Sequence, residues 1–306
     1  MPSNRELIIA TVKENVSLSA FDPATGEVVA VVPVGTKDVS KPHEIAVTRD
    51  GHYAFVSLYG DKDYGPNTPD NRLGVVDLRN FALAGHVDLT LYAGPHALMT
   101  DRDGKIWVTV DPNRCVLVID PDTGEIERTI HLEVPGHFLA PSPDGNTVYF
   151  SAKEYPVVVV VDVATKEITG RIALPVGGQA LRVSPDGAKL YVGDFHRPLL
   201  HVIDCASHKL LDSIDGATVI VTTYDEPADR GYVELLDSAD LTNRRVIEVP
   251  SEPFHALPLR DGCHALVALA NGDIAKIDIL AGTLVEGGFS AGGTMPETLL
   301  YLDVPA

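Results

Sequence analysis

Cysteine is scarce in this sequence. The 306 residues contain three, Cys115, Cys205 and Cys263, and no two of them are spaced as CxxC. An odd number without that spacing predicts neither a disulfide framework nor a zinc-binding cysteine pair. Reduced, mostly structural thiols are the simplest interpretation, and they predict a cytoplasmic protein.

Long apolar segments and basic residues are also in short supply. The apolar run near the N-terminus extends only from Leu7 to Val12. This predicts a strand rather than a secretion signal, and no run approaches the ~20 residues of a membrane span. The chain has 24 Lys and Arg against 43 Asp and Glu, which gives a formal net charge of −19. Because such a surface repels phosphate backbones, we expect a small-molecule substrate and neither a nucleic-acid nor a membrane partner.

Several catalytic motifs are absent as well. The sequence has no GxSxG, no GxxxxGK[ST] and no GxGxxG that opens a helix. These motifs position a serine nucleophile or cradle phosphate groups, so serine-hydrolase and nucleotide chemistry are not predicted.

What the sequence does contain is a repeat of roughly 40 residues. The stretch from Leu181 to Asp204 shows the unit: an alternating strand, a Ser-Pro-Asp-Gly turn, a second strand, and a third strand that ends on Asp. Pro and Gly supply the backbone angles of a tight hairpin turn. The glycines that mark this turn are Gly51, Gly104, Gly145, Gly187, Gly231 and Gly262.

Four strands in a repeat of this length are typical of a β-propeller blade. The N-terminal segment offers three strands, over 6–12, 16–22 and 27–34, and the C-terminal segment from Pro296 offers a first strand. We therefore expect an all-β protein, a single seven-bladed propeller over 1–306, whose last blade joins the C-terminal inner strand to the three N-terminal strands. First strands are predicted near His43, His96, His137, Gln179, Thr218, His255 and Glu297.

Two blades depart from the pattern. The first carries an insertion from Tyr59 to Arg72, rich in Gly, Pro, Asn and Asp, which predicts a loop that could act either as a lid or as a surface elaboration. The fifth, from about Thr218 to Val249, is short, and its four strands cannot all be assigned from the pattern.

The second strands read LYVG at Leu190, VYFS at Val148 and IWVT at Ile106. In this feature the chain resembles the YVTN-repeat seven-bladed β-propellers and the wider set of lactonase-like propellers. The resemblance implies a ligand site on the face where the first strands begin and the loops between second and third strands gather. It does not imply one activity, because the fold hosts binders, lyases, lactonases and redox subunits.

The residues that begin the first strands are candidate metal ligands. His43, His96 and His137 each lie eight residues before a turn glycine, and Glu297 follows Pro296 where the same position should fall. His255 lies seven residues before its glycine, so it joins the set only if one residue is deleted there; otherwise the neighbouring Phe254 takes the position. Imidazoles with one carboxylate suit a divalent Zn, Fe, Mn, Ni or Cu ion. The alternative is that these histidines bond backbone carbonyl groups of the scaffold.

The loops between second and third strands supply the candidate catalytic groups. The loops contain Asp111, Asn113 and Arg114 in blade two, Lys153, Glu154 and Tyr155 in blade three, Asp194, Phe195, His196 and Arg197 in blade four, and Lys13, Glu14 and Asn15 in blade seven. We predict catalytic roles for His196, Arg197, Arg114, Tyr155 and Lys153. The two arginines could clamp an anionic group, or they could be solvated loop charges.

These patterns favour a metal-dependent enzyme, lactonase-like or lyase-like, that acts on a small oxygenated or anionic molecule. One alternative is a non-catalytic propeller that binds a protein or a ligand. Another is a His-ligated oxygenase, since four histidines from separate blades are similar to the non-haem iron site of carotenoid-cleaving propellers. The other six histidines are interpreted as structural or solvated: His52, His86, His131, His201, His208 and His264.

Overall fold

A computed structural model describes residues 5–62, 68–196, 200–211, 218–237 and 244–304. The described residues form 27 strands and two short 3-10 turns. The first strands of the chain are β1 (Arg5–Val12), β2 (Ser17–Phe21), β3 (Val28–Pro33), β4 (Pro42–Val47), β5 (Tyr53–Gly60), β6 (Pro69–Asp77), β7 (Ala82–Asp88), β8 (Pro95–Thr100), β9 (Ile106–Val110), β10 (Cys115–Ile119), β11 (Ile126–His131), β12 (Leu139–Pro141), β13 (Thr147–Ser151) and β14 (Val157–Asp162). They are followed by β15 (Ile168–Ala173), β16 (Gly178–Val183), β17 (Lys189–Asp194), β18 (Leu200–Asp204), β19 (Lys209–Leu210), β20 (Thr218–Asp225), β21 (Arg230–Asp237), β22 (Arg245–Val249), β23 (Pro253–Pro258), β24 (His264–Leu269), β25 (Asp273–Asp278), β26 (Thr283–Ser290) and β27 (Pro296–Val304).

These strands build seven sheets in the part of the chain that the structure describes. Blades one to four are β4–β7, β8–β11, β12–β15 and β16–β19; blade five is β20–β22, blade six is β23–β26, and blade seven has the order β27-β1-β2-β3. The predicted all-β, seven-bladed β-propeller is confirmed, as is the closure of its last blade by the C-terminal strand. The 3-10 turns cover Asp111–Asn113 and Glu226–Ala228, and no described helix is long and apolar enough to cross a membrane.

The chain divides into two compact units. Unit 1 comprises Met1–Ile45, Val76–Ala84 and Ser213–Ala306, and unit 2 comprises Ala46–Val75 and Gly85–Asp212. Each has its own apolar core. In unit 1, Phe21 packs on Phe289 with ring centroids 5.1 Å apart, and in unit 2 the fully buried Trp107 stacks on Phe150 at 6.3 Å. The prediction that 1–306 forms a single domain stays a prediction.

The turn glycines behave as the repeat predicts, with one exception. Gly51, Gly104 and Gly187 have φ values between 72° and 86°, the left-handed region that favours glycine. Gly231 instead pairs with Tyr224 inside the sheet, and a Cβ there would overlap the carbonyl oxygen of Ser251. The left-handed residue of that turn is Asp229. Glycine is required at 231 for a close backbone approach rather than for a turn.

The insertion in blade one forms a shorter loop than its composition predicts, because strands β5 and β6 extend into it. β5 extends to Gly60 and β6 begins at Pro69, so only residues 61–68 connect the strands. Residues 63–67 lie outside the described residues. The stem is tied by the backbone of Thr68, whose N–H donates to the carboxylate of Asp61 at 2.8 Å.

Candidate functional site

In unit 2, His96 and Gln179 occupy equivalent positions at the start of their first strands. In blade two, Pro95 faces Val110 while Leu98 faces Val108, so the register shifts between these two residues, on either side of His96. Blade four shows the same shift between Gly178 and Leu181, on either side of Gln179. Such bulges re-aim a side chain without breaking the sheet.

A hydroxyl group on the second strand of one blade binds the carbonyl at this position in the next blade. Thr109 donates to the carbonyl of His137 at 3.0 Å, and Ser151 donates to the carbonyl of Gln179 at 2.6 Å. The Thr109 oxygen also accepts the N–H of Ala97 at 2.9 Å. This repeated bond provides a test of which residues are equivalent.

The same bond settles the ambiguous position in unit 1. Thr11 donates to the carbonyl of His43 at 2.7 Å, and Thr222 donates to the carbonyl of Phe254 at 3.0 Å. Phe254 therefore takes the equivalent position, and the deletion that would have placed His255 there has not occurred. His255 instead accepts the backbone N–H of Leu299 on its Nδ1 at 2.9 Å, which is a structural role.

Glu297 is at its predicted position but is already paired with a cation. The register shift of β27 falls between Pro296 and Leu299, as in the other blades. The Glu297 carboxylate lies 2.9 Å from the ammonium of Lys13, whose side chain is only 5% exposed. That ammonium also lies 5.6 Å from the centroid of the Phe254 ring.

His96 and His137, both in unit 2, stack on one another. The ring centroids of His96 and His137 are 4.0 Å apart with an interplanar angle of 28°, and the Phe138 ring packs nearly perpendicular to both. His96 Nδ1 lies 3.1 Å from the carbonyl oxygen of His137, so an N–H is assigned there as donor. Both residues are buried, with 3% and 7% exposure.

This stacking does not suit a shared metal ion. The lone pairs of two imidazoles lie in the ring planes, and nearly parallel rings direct them side by side rather than towards one point at ~2 Å. Among the described residues, no three His, Cys, Asp or Glu side chains are grouped so that they could hold a metal ion. The transition metal stays a prediction.

A buried carboxylate partners the second histidine. His137 Nδ1 lies 2.9 Å from Oδ2 of Asp111, and the two side chains are 9% and 15% exposed. Asp111 begins the 3-10 turn that follows β9, a position that aims it back at the start of the next blade. Its other oxygen, Oδ1, is buried without a hydrogen-bond partner among the described residues.

Burial raises the pKa of Asp111 from 3.8 to about 6. The electrostatic interactions with His96 and Lys153 oppose this rise in the pKa of Asp111, and the interaction with Glu154 adds to it. Asp111 is therefore mostly ionised at neutral pH and becomes protonated in mild acid. The pair can hold or release a proton in the range where an acid–base catalyst is useful.

The pair opens onto a cavity of about 310 Å³ in unit 2. The lining residues are Tyr59, Asp111, Pro112, Pro135, His137, Lys153 and Glu154. Tyr59 also contacts the ring of His96 edge-on, with centroids 5.6 Å apart. A larger cavity, about 380 Å³, lies beside the Ser-Pro-Asp-Gly turns of blades three and four, but no histidine lines it.

The predicted catalytic residues separate into different environments. Lys153 lines the cavity, whereas Arg114 donates to the hydroxyl of Tyr155 at 3.4 Å and is not in the lining. His196 is exposed, and its ring lies 4.8 Å from the Phe195 ring, centroid to centroid, at an interplanar angle of 62°. Arg197 lies outside the described residues.

The sequence pattern does not single out Asp111 and Tyr59, which both line the cavity. In the sequence, Asp111 is one of several polar loop residues and Tyr59 is the start of the insertion. The signal for Asp111 was its place directly after the second strand of blade two, next to the start of the following first strand. Nothing in the sequence distinguished Tyr59 from the other tyrosines.

No protein-family model matches the sequence, and no curated protein matches it. The resemblance to YVTN-repeat propellers is therefore not confirmed at the family level. Similar solved structures do exist. One is a periplasmic gluconolactonase from Pseudomonas aeruginosa, with a TM-score of 0.69 and 17% identity over 98% of this chain and 99% of that one. Another is the hydrazine synthase of Kuenenia stuttgartiensis, with a TM-score of 0.63 and 17% identity over 80% of this chain and 78% of that one.

The gluconolactonase also corrects the predicted cytoplasmic location. That expectation rested on few cysteines and no disulfide pattern, yet a propeller that matches nearly the whole chain is a periplasmic protein. Few cysteines do not indicate the compartment, because a propeller closed by strand pairing needs no disulfides to hold its ends together. At this level of identity, the comparisons show that the chain is a seven-bladed β-propeller and do not extend to its activity.

Proposed function

We propose that this protein hydrolyses small lactones in the cavity of unit 2. The observation that carries the proposal is the buried His137–Asp111 pair, 2.9 Å apart, in the cavity wall with Lys153. The similarity in fold to a gluconolactonase supports this class of substrate. The predicted metal is not required by the chemistry that these side chains can perform.

His137 would act as the general base. Ionised Asp111 accepts the N–H at Nδ1, so the other ring nitrogen is the unprotonated one. That nitrogen takes a proton from a water molecule as the water oxygen bonds to the lactone carbonyl carbon. The carbonyl π electrons move to the carbonyl oxygen, and a tetrahedral oxyanion forms.

Lys153 would stabilise that oxyanion, since an ammonium in a partly enclosed cavity interacts strongly with developing negative charge. When the oxyanion collapses, the bond between the former carbonyl carbon and the ring oxygen breaks. The ring oxygen takes the proton back from His137, and a hydroxy acid leaves. The histidine and the lysine end in their starting states, so the cycle balances.

The charges in the wall favour an uncharged lactone. Asp111 and Glu154 carry negative charge, and among the described lining residues Lys153 is the one cation. Arg114, which the sequence offered as an anion clamp, interacts with Tyr155 instead. A phosphorylated lactone would add two negative charges to this wall and bind less tightly.

The test is hydrolysis of δ-gluconolactone and of unsubstituted lactones, followed by titration of the released acid. His137→Gln and Asp111→Asn should each lower kcat/KM by about 100-fold or more, the usual contribution of a general base and its partner. The matched control is His52→Gln, which removes an exposed His–Asp pair, 3.0 Å from Asp50, that does not line the cavity. It should leave kcat/KM unchanged.

Loss of activity in the control variant, or full activity in His137→Gln, would remove the pair from the mechanism. Elemental analysis and dialysis against EDTA test the metal prediction in the same experiment. Activity that survives EDTA assigns the reaction to the side chains alone. Activity that is lost and then restored by one transition metal would support the metal-dependent form.

A further inference from the structure

The loop that carries Lys153 is held from blade four. The N–H of Gly178 donates to the carbonyl of Ala152 at 3.1 Å. Gly177 lies so close to the loop that a Cβ there would overlap the carbonyl oxygen of Lys153. The backbone of residues 152–153 is therefore fixed against blade four, and only glycine allows this approach.

The Lys153 side chain is held by the same blade. Its ammonium lies 4.8 Å from the centroid of the Phe195 ring, within the range of a cation–π interaction. The N–H of Phe195 donates to the carbonyl of Gly177 at 3.0 Å. The backbone of Phe195 and the loop that carries Lys153 are thus both bound to Gly177 and Gly178.

A buried pair fixes the segment that presents the ring. Asp194, whose side chain has no exposed surface, accepts the N–H of His196 at 2.9 Å and lies 3.2 Å from Nε2 of His201. His201 is itself only 8% exposed and lies on β18. The residues on both sides of Phe195 are therefore tied to the sheet.

We propose that Phe195 is a positioning residue that holds the ammonium of Lys153 at the cavity wall, and that Asp194 and His201 hold Phe195 in turn. A lysine side chain has four rotatable bonds and is attracted by the carboxylates of Asp111 and Glu154 in the same cavity. The aromatic face competes with these carboxylates and keeps the ammonium available to an oxyanion. The catalytic consequence rests on the proposed lactone hydrolysis, whereas the positioning itself does not.

The positioning is measured without any substrate. Limited acetylation with acetic anhydride, followed by mass spectrometry of the Lys153 peptide, reports how accessible the amine is. We expect Phe195→Leu to raise the labelling rate of Lys153 about threefold or more, and Phe195→Tyr, which keeps the aromatic face, to leave it unchanged. Lys166, which lies at the same 4.8 Å from the Trp107 ring, is the internal reference in each sample.

Kinetics then test the role in the reaction. Phe195→Leu should lower kcat about three- to tenfold with little change in KM, because the ammonium acts on the transition state. In a Lys153→Met background the same change should have no further effect on kcat. Tyr301→Leu, which removes the ring beside Arg260, is the control for loss of a cation–π contact elsewhere.

The outcomes separate the two ideas. Unchanged labelling of Lys153 in a folded Phe195→Leu variant overturns the positioning. Increased labelling in a protein that hydrolyses no lactone leaves the positioning intact and overturns the proposed function. Increased labelling with unchanged kinetics in an active enzyme shows that Lys153 needs no positioning, and a lowered kcat that persists in the Lys153→Met background assigns Phe195 a merely structural role.

Discussion

At the scale of single residues, the site depends on a carboxylate that the fold stabilises poorly. Asp111 is buried, one of its oxygens lacks a partner among the described residues, and its pKa is raised to about 6. An acidic group whose folded pKa lies above its unfolded value costs stability at a pH where both states are ionised. The cost is absent below about pH 4, grows between about pH 4 and 6, and is complete above that.

Asp111→Asn should therefore stabilise the protein at pH 8 while it abolishes activity. Asparagine keeps the shape and an acceptor for His137 but carries no charge. The shift from 3.8 to about 6 corresponds to roughly 3 kcal/mol at pH 8, as an upper value. Urea unfolding of both proteins at pH 8 and pH 4 measures this, and the difference should shrink at pH 4. A variant that is less stable at pH 8 would show that the ionised carboxylate is well satisfied.

Individual residues were also where the sequence was least informative. The equivalence of His96 and Gln179 followed from turn spacing, because the repeat fixes how many residues separate a first strand from its turn. The partner of His137 did not follow from turn spacing. Asp111 follows the second strand of blade two, and it contacts His137 at the start of blade three only in the folded protein. The position of Phe254 depended on whether one residue was missing from a turn, which spacing alone cannot decide.

At the scale of elements, the blades are joined by a side chain that the strand pattern does not reveal. In three blades, a Thr or Ser near the end of the second strand donates to the carbonyl that begins the next first strand: Thr11, Thr109 and Ser151. In blade five, Thr222 within β20 donates to the carbonyl of Phe254 in the same way. The strands themselves were predictable from period-two patterning and turn residues. These hydroxyl bridges were not predictable, because Thr and Ser also occur on strands where they form no such bridge.

Replacing Thr109 by Val tests the bridge. Valine has the same shape, so the main loss is the hydrogen bond to His137 and the acceptor for the Ala97 N–H. Both backbone groups are buried, and we expect about 1–3 kcal/mol less stability and a weaker His137–Asp111 pair. Thr109→Ser should restore both. The comparison is Thr169→Val on the outer strand β15, where the bond is 3.5 Å long and little change is expected.

At the scale of the whole molecule, one sheet joins the two ends of the described chain. β27 pairs with β1 over most of its length, from Arg5 opposite Val304 to Val12 opposite Pro296. It brings Leu299 and Leu302 into the core of unit 1, where they are 0% and 4% exposed. This closure was predictable, because an incomplete blade at each end leaves open edges that only mutual pairing removes.

Removal of residues 296–306 should unfold at least unit 1. The loss of two buried leucines alone costs about 3–6 kcal/mol, and the exposed edge of β1 adds to that, against a net stability of about 5–15 kcal/mol. A chain that stops after Val304 retains β27 and serves as the control. Thermal melts followed by circular dichroism compare the two, and equal melting temperatures would contradict the closure.

The pairing of β27 with β1 also determines how late in synthesis the last blade can close. The N–H of Thr298 bonds to the hydroxyl of Thr11, a residue 287 positions earlier in the chain. A ribosome that adds about 5–20 residues per second needs roughly 15–60 s to cover that distance. Throughout that interval the inner edge of β1 has no partner from its own chain. The corresponding strand of a neighbouring chain can occupy that edge first, so slow induction of expression should favour chains closed by their own β27 over strand-exchanged aggregates.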